Sequence, residues 1–216
     1  MASDFFLDSW QCTIAGKGGH GAFPSLAVDP VLIAARVIDA WQSLVSREQS
    51  ATKPMVLSVC KVRTPGAAFN IIPETCVLSG TARALSEEER CRIEERMRKM
   101  AELIAEASGA TAELVWTRGA ANLVNDPAAT EEVVAIGREL FGDEAFLRVP
   151  LPTTGGEDFA GYLLKGPGTF LLMYTPSSHG PTPQHSPRFE IDDGILWRGA
   201  AMAAGSAIMW LARHGR

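Results

Sequence analysis

His20 stands among glycines in Gly16-Lys17-Gly18-Gly19-His20-Gly21, an arrangement that lets backbone and imidazole approach a ligand closely. Taken alone it reads equally as an exposed loop histidine whose glycines serve the turn. Asn70, in Phe69-Asn70-Ile71-Ile72-Pro73, carries an amide that can bond a turn backbone or a ligand carboxylate. Arg83 ends Gly80-Thr81-Ala82-Arg83; its guanidinium fork matches a carboxylate, or it sits in water where a strand frays. Thr153-Thr154-Gly155-Gly156-Glu157-Asp158-Phe159 combines amides at a helix start with two acids. Gly155, Gly156 and Glu157 could cradle an anion or substrate, or cap a helix whose dipole favours acids there. His185, in Pro183-Gln184-His185-Ser186-Pro187-Arg188-Phe189, lies in a proline-stiffened loop that could present an imidazole to a metal. A catalytic metal takes three or four protein ligands, so His185 cannot hold one by itself. The pairs Glu87-Glu88, Glu94-Glu95 and Glu131-Glu132 read as solvated helix faces. No Gly-x-Ser-x-Gly elbow, P-loop, dinucleotide glycine pattern or His-Glu-x-x-His helix occurs.

Composition narrows the classes further. Twenty basic against twenty-five acidic residues give a net charge of −5, and the densest basic patch, Arg90 to Lys99, is interleaved with glutamates. A nucleic-acid surface needs clustered cations, so none is expected. Cys12, Cys60, Cys76 and Cys91 have no metal-gripping spacing and read as idle thiols of a reducing compartment. Met1 to Trp10 has no basic leader, so a cytoplasmic protein is expected. The uncharged run Gly199 to Ala212 falls short of the roughly 20 residues a bilayer span requires. It predicts a buried helix, with no membrane partner.

The elements that must position these groups follow from period and punctuation. Phe5 to Ile14 predicts a strand, then a glycine loop. Asp29-Pro30 caps a helix running to about Ser46. Met55 to Val62 and Glu74 to Ala84 predict neighbouring strands across a Pro65-Gly66 turn. Ser86 and Glu89 form a capping box before a long helix ended by Gly109, and Ala112 to Trp116 is a further strand. This order is the α+β, ferredoxin-like β-α-β-β-α-β pattern over residues 5–117. From Arg118 the register changes. Asn125-Asp126-Pro127 caps a helix to Phe141, Gly168 to Tyr174 predicts a strand, and a last helix lined with small residues follows Asp192-Asp193. One strand is too little for a core, so residues 126–216 are expected to complete a sheet whose other strands lie outside this chain.

Together, Ala2-Ser3-Asp4, Gly16 to Pro24, Asp29-Pro30, Asn70-Ile71-Ile72-Pro73, Gly80-Thr81-Ala82-Arg83, Asn125-Asp126, Gly155 to Phe159 and His185 to Phe189 resemble the hippurate-hydrolase type of metal-dependent amidohydrolases. That group includes aminoacylases and indole-acetyl-amino-acid hydrolases, with carboxypeptidase and desuccinylase relatives. The resemblance implies that residues 5–117 are a lid that also forms a homodimer. Residues 118–216 would be the C-terminal part of an α/β zinc-peptidase-like catalytic domain whose N-terminal half is absent. It implies two divalent ions in the complete enzyme (Zn, Mn or Ni) and an N-acyl amino acid substrate. By matching, His185 is a metal ligand, and His20 is the lid histidine that reaches the partner's site to polarise the scissile carbonyl. Asn70 and Arg83 match groups holding the substrate carboxylate, and Gly155, Gly156 and Glu157 match the substrate-side loop. Ser25 departs from the histidine many relatives carry after Pro24. The expectation is therefore a partial amidohydrolase chain, inert alone, or a non-catalytic dimerisation or carboxylate-binding module derived from one.

Overall fold

The computed structural model describes residues 5–146, 155–175 and 186–215, in two units: residues 5–123 with 155–161, and residues 124–146 with 162–175 and 186–215. The Gly155-Gly156 segment belongs to the first unit.

In the first unit, alternation dictates the sheet. Strand β1 (Phe6–Ala15) buries Asp8, Trp10, Cys12 and Ile14 and turns Ser9 and Gln11 outward. It is central, flanked by β5 (Thr75–Ala84) and β6 (Thr111–Arg118), and β3 (Met55–Arg63) closes the order β3-β5-β1-β6, antiparallel throughout. This is the ferredoxin-like arrangement, an α+β fold.

Two helices cover one face. In α1 (Pro30–Ser43) the Asp29 carboxylate accepts from Val31 N at 2.8 Å, and Ile33, Ala34, Val37 and Trp41 face the sheet. In α2 (Glu87–Glu106) the Ser86 hydroxyl accepts from Glu89 N at 3.3 Å, and Ile93, Met97, Ala101 and Ala105 are buried. The α1 chain continues through a wider turn at Leu44–Glu48. The core is built around Trp41, which is fully buried, meets Trp10 edge-on at 5.1 Å and donates its indole N–H to Met97 O at 3.0 Å. Burial also pushes the Cys12 thiol up to about 12, consistent with an inert core residue.

The glycine segment is not all loop. Gly19–His20 form a short strand, β2, paired antiparallel with β4 (Ile71–Ile72). Glycines permit this pairing because the backbones run close: a Cβ at Gly18 would lie 3.0 Å from Ile72 O.

In the second unit, α3 (Pro127–Phe141) is capped by Asp126, whose carboxylate accepts from Ala129 N at 2.8 Å. A four-residue helix, α4 (Ala160–Leu163), falls across the boundary of the two units, and the long α5 (Leu196–His214) belongs to the second. The strand predicted for 168–174 does not form. That segment stays irregular, its Phe170 main chain exchanging two hydrogen bonds with the buried Asn125 amide at 2.8 and 2.9 Å, and among the described residues no second strand lies beside it. The predicted burial of the last helix also fails. It packs Gly205 against Leu140 and Trp197 against Phe141, yet none of its residues is buried, and Ile208, Trp210 and Leu211 are exposed. Asp193–His214 is long and apolar enough, by length and composition, to cross a membrane.

Candidate functional site

The residues singled out in the sequence gather at two ends of β5. At its start, Gly16 N donates to Glu74 O at 2.9 Å and carries the glycine segment past Thr75. There β2 lies on β4 with His20 directly opposite Ile71, and Gly21 N donates to Asn70 O at 2.9 Å. His20 and Asn70 are therefore brought together, both exposed, beside an open groove of about 620 Å³ lined by Gly18, Gly19, His20, Gly66, Ile72 and Glu74. The His20 Nδ1 accepts from Ala22 N at 3.1 Å and the Phe23 ring stands 5.8 Å from the imidazole. Ser25 is exposed in a single turn, Pro24–Leu26.

Arg83 stands at the other end. Eight steps along β5 at about 3.4 Å each put roughly 27 Å between Thr75 and Arg83. Arg83 does not sit at a fraying edge. It lies on an inner strand, opposite Leu7 of β1 and Val56 of β3, on the face away from the helices that Ala82 and Ala84 touch. The loop carrying Gly155, Gly156 and Glu157 arrives at this same end. Phe5 N donates to Gly155 O at 3.2 Å, and a Cβ on Gly156 would lie 2.7 Å from Leu7 Cβ. Glu157 Oε1 accepts from Phe159 N at 3.4 Å. Arg83 and the glycine cradle thus share a neighbourhood through Leu7, whereas Asn70, matched with Arg83 as a carboxylate holder, keeps company with His20.

Beneath the Arg83 end is a buried charge that sequence reasoning missed. The Asp8 carboxylate, 1% exposed, accepts from Arg90 Nε at 2.7 Å and Nη2 at 2.5 Å, from Trp116 Nε1 at 2.9 Å and from Gly119 N at 2.9 Å. Burial pushes this carboxyl up, but the hydrogen bonds from Arg90, Gly119 and Trp116 outweigh it and hold it below the usual range. Arg90 also meets Glu87 at 3.0 Å and covers the Phe6 ring at 4.7 Å, and its own pKa is raised. The hub ties the strand before Arg83 to the chain leaving β6. Its signal was available, an aspartate on the buried phase of an otherwise apolar strand.

Among the described residues no group of three or more His, Cys, Asp and Glu side chains could hold a metal ion. His185, the expected ligand, lies outside the described residues.

Comparison with known proteins gives this geometry a context. The peptidase dimerisation domain family, M20_dimer, matches residues 5–108, the sheet-and-helix unit up to the end of α2. N-acetylcysteine deacetylase of Bacillus subtilis is 35% identical over 194 residues, 88% of this chain and 48% of the relative. IAA-amino acid hydrolase ILR1-like 2 of Arabidopsis thaliana is 32% identical over 207 residues, 94% and 46% respectively. The crystal structure of Bacillus subtilis YXEP, described as a dinuclear metal binding peptidase of the M20 family, superimposes with a TM-score of 0.69 at 28% identity, covering 97% of this chain and 51% of that one. The chain spans about half the length of the curated relatives it matches. With a peptidase dimerisation domain in its first half and a likeness that continues through the second, the chain belongs to the M20 peptidase family.

Proposed function

We propose that this chain is the dimerisation domain and the C-terminal part of the catalytic domain of a metal-dependent amidohydrolase that hydrolyses the amide bond of N-acyl amino acids. The observation that carries the reading is the division of the matched residues between two ends of one strand, roughly 27 Å apart. A small N-acyl amino acid cannot touch both ends of one domain. In a homodimer each substrate would then take His20 and Asn70 from one subunit and Arg83, with the Gly155 to Glu157 loop, from the other. The guanidinium clamps the α-carboxylate through two parallel hydrogen bonds. His20 donates to the scissile carbonyl oxygen, where negative charge grows as the tetrahedral intermediate forms, and the Asn70 amide steadies the same end of the substrate. Hydrolysis breaks the amide C–N bond, the acyl carbon gaining the hydroxyl of water and the amine its proton.

Zn, Mn or Ni ions are the cofactors this reading calls for, but no donor set among the described residues fits one. The described residues supply substrate binding and carbonyl polarisation, and the metal chemistry belongs with ligands beyond them. The exposed side of α5 agrees with a catalytic sheet that the chain does not complete.

Two measurements test the reading on the chain itself. Sedimentation should give a dimer, and titration with an N-benzoyl amino acid should show binding that Arg83→Ala abolishes. After loading with Zn²⁺, Mn²⁺ or Ni²⁺, no turnover of N-acetyl or N-benzoyl amino acids is expected; turnover lost in His185→Ala overturns that part. A monomer without affinity for the acyl amino acid overturns the shared site. The second reading is a non-catalytic carboxylate-binding module, resting on Arg83 and the neighbouring Gly155 to Glu157 loop. The two separate when the N-terminal half of a relative is supplied, since hydrolysis should then appear only for an enzyme.

A further inference from the structure

Resting on the reading of His20 as a group that meets the substrate carbonyl, we infer that its imidazole is preset as a hydrogen-bond donor, with Ala22 and Phe23 as its positioning residues. The Ala22 main-chain N–H donates to His20 Nδ1 at 3.1 Å. An N–H can donate only to a nitrogen with a free lone pair, so Nδ1 carries no proton and the neutral ring holds its proton on Nε2. Nε2 lies across the ring from Nδ1 and therefore points away from the turn.

Three further contacts hold the ring in this setting. Phe23 N donates to His20 O at 2.8 Å, closing residues 20–23 into a turn that delivers the Ala22 amide to the side chain. That turn brings the Phe23 ring to 5.8 Å from the imidazole, tilted by 52°. On the strand side, Gly21 N is tied to Asn70 O at 2.9 Å, and a Cβ on Gly21 would lie 3.2 Å from that oxygen, so the turn is drawn against β4. Across β2 and β4, Ile71 shares the face of His20 and is half-exposed. The imidazole thus has the Phe23 ring beside it and Ile71 as its cross-strand neighbour, with one nitrogen already satisfied.

This assignment restricts the chemistry. With its proton on Nε2, the outward edge of His20 has no lone pair for a metal ion or for a proton from water. It can donate, and a carbonyl oxygen is the acceptor it suits. The apolar flanks of Phe23 and Ile71 match a carbonyl whose acyl substituent is itself apolar.

The test needs neither metal nor substrate. In the ¹⁵N-labelled 216-residue chain at about pH 8.5, some two units above the ordinary imidazole value, long-range ¹H–¹⁵N spectra report the ring tautomer, with His20→Gln identifying the resonances. The expected result is a single Nε2–H pattern for His20 and a nitrogen–nitrogen coupling from Ala22 N to His20 Nδ1 across the hydrogen bond. Phe23→Tyr should preserve both. Phe23→Ala should lose the coupling and move the ring toward the tautomer average of free histidine, with an unchanged melting temperature because Phe23 is 60% exposed. An Nδ1–H pattern, or the free-histidine average in the wild-type chain, overturns the inference, and an unaltered ring in Phe23→Ala overturns the role of Phe23. Since no hydrolysis is read, a failed activity assay leaves this result standing, and an averaged ring leaves the amidohydrolase reading untouched.

Discussion

Asp8→Asn tests how the Arg83 end of the domain is held. The substitution keeps the shape of the side chain but removes the charge facing Arg90, and it places an amide N–H₂ where the carboxylate now accepts from Arg90, Trp116 and Gly119. Breaking a buried pair by removing one partner costs about 3–5 kcal/mol, because the other charge stays desolvated. Here Arg90 keeps two consolations, the half-exposed Glu87 at 3.0 Å and the Phe6 ring at 4.7 Å, so the lower end, about 3 kcal/mol, is expected. For a unit of this size that is a fall in melting temperature of roughly 10–15 °C. Urea unfolding followed by the fluorescence of Trp10, Trp41 and Trp116 reads it directly. The double variant Asp8→Leu/Arg90→Leu, which removes both charges, should recover more than half of the loss. A loss below about 1 kcal/mol for Asp8→Asn, or a double variant as unstable as the single one, would refute the reasoning.

The same hub sets a pH dependence whose sign is fixed. The folded carboxyl of Asp8 titrates below the usual value of about 3.9 that it has when unfolded. Its stabilisation is therefore complete above that value and is lost as pH falls through the folded one. Unfolding curves of the wild type and Asp8→Asn should stay separated from neutrality down to about pH 4 and converge only below it. Convergence between pH 5 and 7 would mean that Asp8 is not held as a buried anion.

The core and the sheet yield further expectations. Gly80→Ala places a Cβ 1.9 Å from Ser58 O and 2.5 Å from Trp10 Cζ2, so β3 must move or Trp10 must turn; about 3 kcal/mol of destabilisation is expected in urea. Trp41→Ala empties the centre of the core and removes the indole's hydrogen bond to Met97 O, for about 3–5 kcal/mol. Gly18→Ala brings a Cβ to 3.0 Å from Ile72 O and should disturb His20 and Ile71 chemical shifts while leaving the melting temperature within a few degrees.

Much of the fold could be read from local chemistry because local chemistry decides it. Asp29-Pro30, Ser86 with Glu89, and Asp126-Pro127 each start a helix where the sequence places it, through a side-chain oxygen that meets an orphan amide. The alternation in β1 and the turn at Gly66, with its positive φ of 72°, fix the sheet register in the same way. The failures concern long-range partners. Residues 168–174 have strand composition, but strand geometry needs a neighbour to bond, and the Asn125 amide takes that place at Phe170. The small-residue side of α5 announces close packing, yet composition cannot say on how many sides. Glycine density removes local preference for a strand and so predicts a loop; the β2–β4 pairing arises from the close backbone approach that Gly18 permits at Ile72 O.

The site was legible as a set of residue types and not as an arrangement. His20, Asn70 and Arg83 follow one another along the chain, and nothing in that order says that the first two meet while the third stands a full strand away. The separation is a consequence of β5 itself. Asn70 precedes its first residue and Arg83 is its last but one, so any antiparallel sheet built on this strand must part them by its whole length. Asp8 then acquires a purpose that its isolated identity concealed. Lying one residue after Leu7, which pairs with Arg83 and receives Gly156, it fastens the strand to Gly119 and Arg90 beside the end of β5 that carries Arg83. A domain built this way presents a guanidinium beside a buried ion pair at one end and an exposed, turn-mounted imidazole at the other, the separation from which the proposed sharing of one site between two subunits is argued.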